Sequence, residues 1–97
     1  MKIFTDSVIV ATNSQVSCAL NNETVILDFN KGTYFGLNGV GTFIWERLQQ
    51  PRTVAEIRHA IMQEYEVDER QCEQDVLKLL EKLHHQGLIE VRGKPAP

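Results

Sequence analysis

The sequence predicts an α+β domain in which a three-stranded antiparallel sheet precedes three helices. Three observations carry that expectation. Residues 24–29 alternate, with Val25, Leu27 and Phe29 on one side and Thr24, Ile26 and Asp28 on the other, the period of a strand. Within residues 31–48, KGTYFGLNGVGTFIWERL, the period changes. Tyr34-Phe35-Gly36-Leu37 reads as the end of a strand, whereas Val40, Phe43, Ile44 and Leu48 fall at the i, i+3, i+4 spacing of a helix face. Two further helical stretches follow, each opened by a capping signal: Thr53-Val54-Ala55-Glu56 and Asp68-Glu69-Arg70-Gln71.

In chain order, residues 8–11 form a short β-rich run expected along a sheet edge. Residues 16–20 are a strand, Asn21-Asn22-Glu23 a turn, 24–29 the second strand, and Asn30-Lys31-Gly32 a hairpin turn. Residues 33–37 complete the meander. Asn38 is placed to cap the first helix, 39–49, which must end before Pro51 because proline cannot donate a helical hydrogen bond. The second helix runs to about Tyr65 with Val54, Ile57, Ile61 and Tyr65 on one stripe. The third extends to about Gln86, with Gly87 as its left-handed C′ residue. Residues 88–91 read as a short last strand and 93–97 as a frayed tail. The short connection between the second and third helices fits a winged helix-turn-helix arrangement.

Size and charge narrow the function. Ninety-seven residues make one domain, whose single core leaves little volume for a deep catalytic cavity. Ten basic against thirteen acidic residues give a net charge of -3, so the basic field of a nucleic-acid binder is missing. The third helix repeats the point: Arg70, Lys78 and Lys82 stand against Glu69, Glu73, Asp75 and Glu81, a poor match to phosphates in a DNA groove. The N-terminus has neither a signal-peptide pattern nor an apolar run able to span a membrane. Cys18 and Cys72 lie in different elements without metal-type spacing, as two free thiols in a reducing compartment would. The reading is a soluble cytoplasmic protein.

No catalytic set assembles. His84 and His85 are adjacent and point about 100° apart on a helix, and His59 has no ligating partner at i+3 or i+4, so no metal site is expected. Cys72 shares the third helix's apolar stripe with Val76, Leu79 and Leu83, with Leu80 at its margin, which makes it a packing residue rather than a nucleophile. Gly36, Gly39 and Gly41 match no phosphate-loop pattern. Trp45 belongs beside the first helix's core stripe. The chain reads as a non-enzyme without a cofactor.

The binding opportunity lies at the sheet edge. The third strand, 33–37, is an edge unless something covers it, and an uncovered edge presents unpaired N–H and C=O groups to an extended peptide. Leu77 falls off the third helix's stripe, near Glu73, and gives that helix a second apolar border. A peptide pairing with the strand would drop apolar anchors between strand and helix, which is β-augmentation.

Tyr34-Phe35-Gly36-Leu37-Asn38, Gly41, Ile44-Trp45-Glu46 and Thr53-Val54, followed by a long acidic helix ending in Leu-x-x-x-Gly-Leu-Ile, resemble the PqqD-like family over residues 16–91. The combination looks most like the stand-alone members of lasso-peptide pathways, with the pyrroloquinoline-quinone synthesis member next. The resemblance implies a recognition element that binds the leader of a ribosomally made precursor peptide as an added antiparallel strand. It also implies delivery of the precursor to a partner enzyme, in lasso pathways a cysteine protease that removes the leader before a cyclase closes the ring. Carried onto this sequence, the strand side is Thr33, Tyr34, Phe35 and Gly36. By expected geometry the helix side draws on Glu73, Val76, Leu77 and Leu80, with Glu73 and Asp75 available to basic leader residues.

Overall fold

The computed structural model describes residues 3–13, 15–21 and 23–93. The elements are β1 (Val8–Ala11), β2 (Gln15–Leu20), β3 (Glu23–Asp28), β4 (Thr33–Asn38), α1 (Val40–Arg47), β5 (Arg52–Thr53), α2 (Val54–Glu64), α3 (Glu69–His85) and β6 (Ile89–Arg92). They form an α+β fold with two three-stranded antiparallel sheets, ordered β2-β3-β4 and β5-β1-β6.

The first sheet is the expected meander. Its inward face is the less apolar one: Thr24, Ile26 and Asp28 are 3%, 0% and 6% exposed. Burial of the two polar residues is tolerated because their groups are satisfied. The Thr24 hydroxyl donates to Thr42 Oγ1 at 3.1 Å, and the Thr42 hydroxyl lies 3.4 Å from the Leu37 carbonyl it donates to. Asp28 Oδ1 accepts from the backbone N–H groups of Asn30 and Lys31, which folds the β3–β4 turn. The register places Val16 opposite Leu27 and Leu27 opposite Tyr34 on the outward face, and all three are exposed. Phe29 lies in the turn beyond β3 and is exposed there.

The second sheet departs from expectation. Residues 8–11 do not line an edge. They form the central strand, between β5 and β6, and Ile9 is fully buried. The partners come from beyond Pro51 and beyond Gly87, and one of them is only two residues long, so no local hairpin pattern announces the pairing. Backbone bonds tie β1 to the helical half as well: Ala11 N–H donates to the Leu48 carbonyl at 2.7 Å and Thr12 N–H to that of Leu88 at 3.0 Å.

β4 runs one residue further than expected, through Asn38, and the cap of α1 is Gly39 instead of Asn38. Gly39 has φ 49° and ψ −118°, a backbone conformation that glycine adopts without the Cβ clash, and this turns the strand directly into the helix. Trp45 is a core residue at 2% exposure.

The Thr53–Glu56 capping box of α2 is complete: Glu56 N–H donates to Thr53 Oγ1, and Thr53 N–H donates to the Glu56 carboxylate at 2.9 Å. That second bond holds the Glu56 carboxyl below its usual pKa against a smaller opposing effect of burial. The folded value is depressed, so the cap's stabilisation is present at neutral pH and fades as pH falls through it. Val54, Ile57 and Ile61 are buried, while Tyr65 is the C-cap, 38% exposed, and meets Phe43 edge-on at 5.7 Å between ring centroids.

Asp68 caps α3 by accepting from Gln71 N–H at 3.0 Å. At the other end Gly87 N–H donates to the His84 carbonyl and Leu88 N–H to that of Leu83, the paired bonds of a Schellman motif, with Gly87 at φ 76°. The core stripe of α3 is Cys72, Val76, Leu80 and Leu83. Leu80, expected at the margin, is 0% exposed, whereas Leu79, expected in the stripe, is only partly buried. Asn22 of the expected β2–β3 turn and residues 94–97 of the expected tail lie outside the described residues.

Candidate functional site

Because, among the described residues, β4 pairs with β3 alone, every other residue of β4 turns its N–H and C=O away from the sheet. Beyond that edge lies an open groove of about 610 Å³. Phe35, Gly36 and Leu37 form its strand wall, Val40 and Ile44 of α1 close one end, and Cys72, Val76 and Leu79 of α3 form the opposite wall. The walls are mainly apolar, with Asp75 and Lys82 on the helix side and Glu23 on the strand side.

α3 runs antiparallel to β4. Its C-terminal end sits beside the start of the strand, where Gln86 and Leu88 share a small crevice with Thr33, Tyr34 and Phe35. Lys31 Nζ donates to the Gln86 carbonyl at 3.1 Å there, placing a cation on the negative end of the helix and bridging strand to helix. The earlier turns of α3 therefore face Leu37 and the entry to α1.

The residues named from sequence fall into two groups. Thr33, Tyr34, Phe35 and Gly36 all lie on the free-edge strand, with Phe35 turned inward opposite Ile26 and Tyr34 outward at 78% exposure. Asp75 and Val76 line the groove. Glu73, Leu77 and Leu80 do not. Glu73 faces α2, where its carboxylate is 3.5 Å from the Arg58 guanidinium; Leu77 packs against the core, and Leu80 is fully within it. Leu79, expected in the core stripe, also lines the groove, with Asp75 at i−4 and Lys82 at i+3.

The two thiols differ in surroundings. Cys18 is exposed on β2, while Cys72 is buried in the groove wall and its pKa is raised, chiefly by burial. Titration of the native chain with a thiol-reactive chromophore at mildly alkaline pH should show one fast-reacting thiol per chain. The second should react at least about tenfold more slowly until denaturant is added. Cys18→Ser should remove the fast phase. Two equally fast thiols would contradict the burial of Cys72. Among the described residues no group of three His, Cys, Asp or Glu side chains lies close enough to hold a metal ion, and no helix is long and apolar enough to cross a membrane.

These features define a class of small α+β domain that presents one bare strand edge beside an apolar trough. The family model described as coenzyme PQQ synthesis protein D matches residues 23–89, and the chain belongs to the PqqD family. Among solved structures it is similar to TbiB1 in complex with the TbiA(beta) leader peptide, at 37% identity and a TM-score of 0.79, covering 84% of this chain and 94% of that one. Two others share the fold. Lasso peptide synthetase B1 complexed with the leader peptide is 24% identical, with a TM-score of 0.75 and coverage of 84% and 96%. The PqqD truncation of Methylobacterium extorquens PqqCD, a stand-alone recognition element for ribosomally synthesised and post-translationally modified peptides, is 20% identical, with a TM-score of 0.75 and coverage of 91% and 94%. No curated protein sequence matches the chain.

Proposed function

We propose that this chain binds the leader segment of a ribosomally synthesised precursor peptide as an added strand on β4 and delivers it for processing in a lasso-peptide pathway. The observation that carries the reading is the bare edge of β4 facing the apolar flank of α3 across an open groove. The 37% identity to a protein solved with a leader peptide supports it. Backbone bonds along Thr33, Tyr34, Phe35 and Gly36 supply affinity, and anchors seated against Val76 and Leu79 supply specificity. Glu73, Leu77 and Leu80 act behind the helix wall.

The chain works as a cytoplasmic, non-catalytic single domain, a winged helix-turn-helix whose β4–α3 side has become a peptide site. Its partner is a leader peptidase of the cysteine-protease class, followed by a cyclase. Val16, Val25, Leu27 and Tyr34 offer an uncharged apolar face next to β4, of the kind a second protein covers. A chaperone for a radical SAM enzyme in quinone-cofactor synthesis is the second reading, favoured by the description of the matching family.

Calorimetry decides. Synthetic peptides covering the N-terminal segments of short precursors encoded beside this gene should include one with a Kd of about 1 μM or tighter. No heat from any of them at about 1 mM peptide would overturn the proposal.

A further inference from the structure

The groove is electrically polar along its length. At the end near α1, carboxylates stand on both walls: Glu23, opposite the last residue of β4, and Asp75, two turns before Lys82 on the same flank of α3. Asp75 is oriented by Gln71, whose Nε2 donates to its Oδ1 at 3.0 Å, leaving the other oxygen free of that bond. Toward the other end stands Lys82, and beyond it Lys31 is already engaged with the Gln86 carbonyl. Between the charges lie Val76 and Leu79.

We infer that Asp75, Glu23 and Lys82 set the direction and charge order of the peptide this groove accepts: a basic residue first, an apolar anchor next, an acidic residue last. The inference rests on the strand-addition reading and deepens it. Every strand pair among the described residues is antiparallel, the more stable pairing, so an added strand runs against β4 and enters at its C-terminal end, beside the carboxylates. It leaves beside Lys82. Lys82 lies seven positions after Asp75 on the helix, a rise of about 10 Å. Side chains on one face of a strand recur about every 6.6 Å, so positions i and i+4 span about 13 Å, within the reach of long charged side chains. The pattern is therefore basic-x-apolar-x-acidic, with all three side chains on the face turned toward α3.

A displayed library of extended peptides tests this. The central position is varied between leucine and serine, and the flanking positions between lysine and glutamate in both orders. Selection on the native chain should enrich Lys-x-Leu-x-Glu over Glu-x-Leu-x-Lys about fivefold, the size expected for two exposed ion pairs, and the preference should collapse near 1 M salt. The variant with all three charges swapped, Glu23→Lys, Asp75→Lys and Lys82→Glu, should reverse the preference while melting within a few degrees of the parent. Equal recovery of the two orders, or enrichment of the opposite order by the native chain, would overturn the charge order. If leucine were still enriched over serine in that case, the peptide groove itself would stand. If leucine gained nothing over serine either, both the charge order and the strand-addition reading would fall.

Discussion

Leu79→Asp should weaken leader binding by about thirtyfold or more, near 2 kcal/mol, while the domain stays folded. The side chain is partly buried and lines the groove, so in the free protein an aspartate there keeps access to water and costs on the order of 1 kcal/mol, a fall of about 5 °C in melting temperature. When a peptide anchor seats against it, that water is lost and the carboxylate is desolvated against an apolar anchor, with Lys82 one turn further along the helix. The same change one residue on behaves differently. Leu80 is 0% exposed, and Leu80→Asp places an unpaired charge in the core, which should abolish cooperative unfolding altogether. Calorimetry with the peptide that binds the parent chain, together with thermal melts, separates the two. Unchanged affinity in Leu79→Asp would remove Leu79 from the peptide site.

The Leu79–Leu80 pair also shows where the sequence was readable. The apolar arc of α3, from Cys72 through Leu83, is wider than one helix–core contact needs, so it divides between core and groove. The neighbours at i±3 and i±4 held the answer. Both leucines have Val76 before them and Leu83 after them; Leu80 adds Leu77 and His84, whereas Leu79 adds Asp75 and Lys82, charges that keep one side of it toward water. A stripe drawn by apolar spacing alone passed over those charges. Glu73 is the converse: it reads as a free anion in the sequence, but Arg58 on α2 faces it, a partner that spacing within α3 cannot reveal.

The meander was legible because its turns are local and carry their own chemistry, as Asp28 shows by accepting from Asn30 and Lys31. The free edge of β4 was legible for the same reason, since three consecutive strands leave the last one open. What the alternation could not tell was which face turns inward. Thr24 and Asp28 are buried in preference to Val25 and Leu27 because Thr42 and the turn backbone supply the hydrogen bonds that make burial tolerable. Those partners lie outside the strand itself.

A chain that begins at Gln15 should fail to fold cooperatively, although the family match begins only at residue 23. The truncation removes Ile3, Ile9 and Val10, each buried, at about 1.5–3 kcal/mol apiece, or roughly 5–9 kcal/mol as an upper figure. It also removes the central strand of the second sheet. β5 and β6 would both lose their pairing partner, and the Leu48 and Leu88 carbonyls their donors from Ala11 and Thr12. Domains of this size have only about 5–15 kcal/mol of net stability, so the loss takes most or all of it. The damage also reaches the peptide groove indirectly. Leu48 closes α1 and Leu88 follows the end of α3, so the tethers through Ala11 and Thr12 help hold the helices that form two of its walls. Chemical denaturation followed by circular dichroism checks this. A sigmoidal transition for the truncated chain with a midpoint near the parent's would show that β1 is dispensable, and the groove would then rest on the meander and the helices alone.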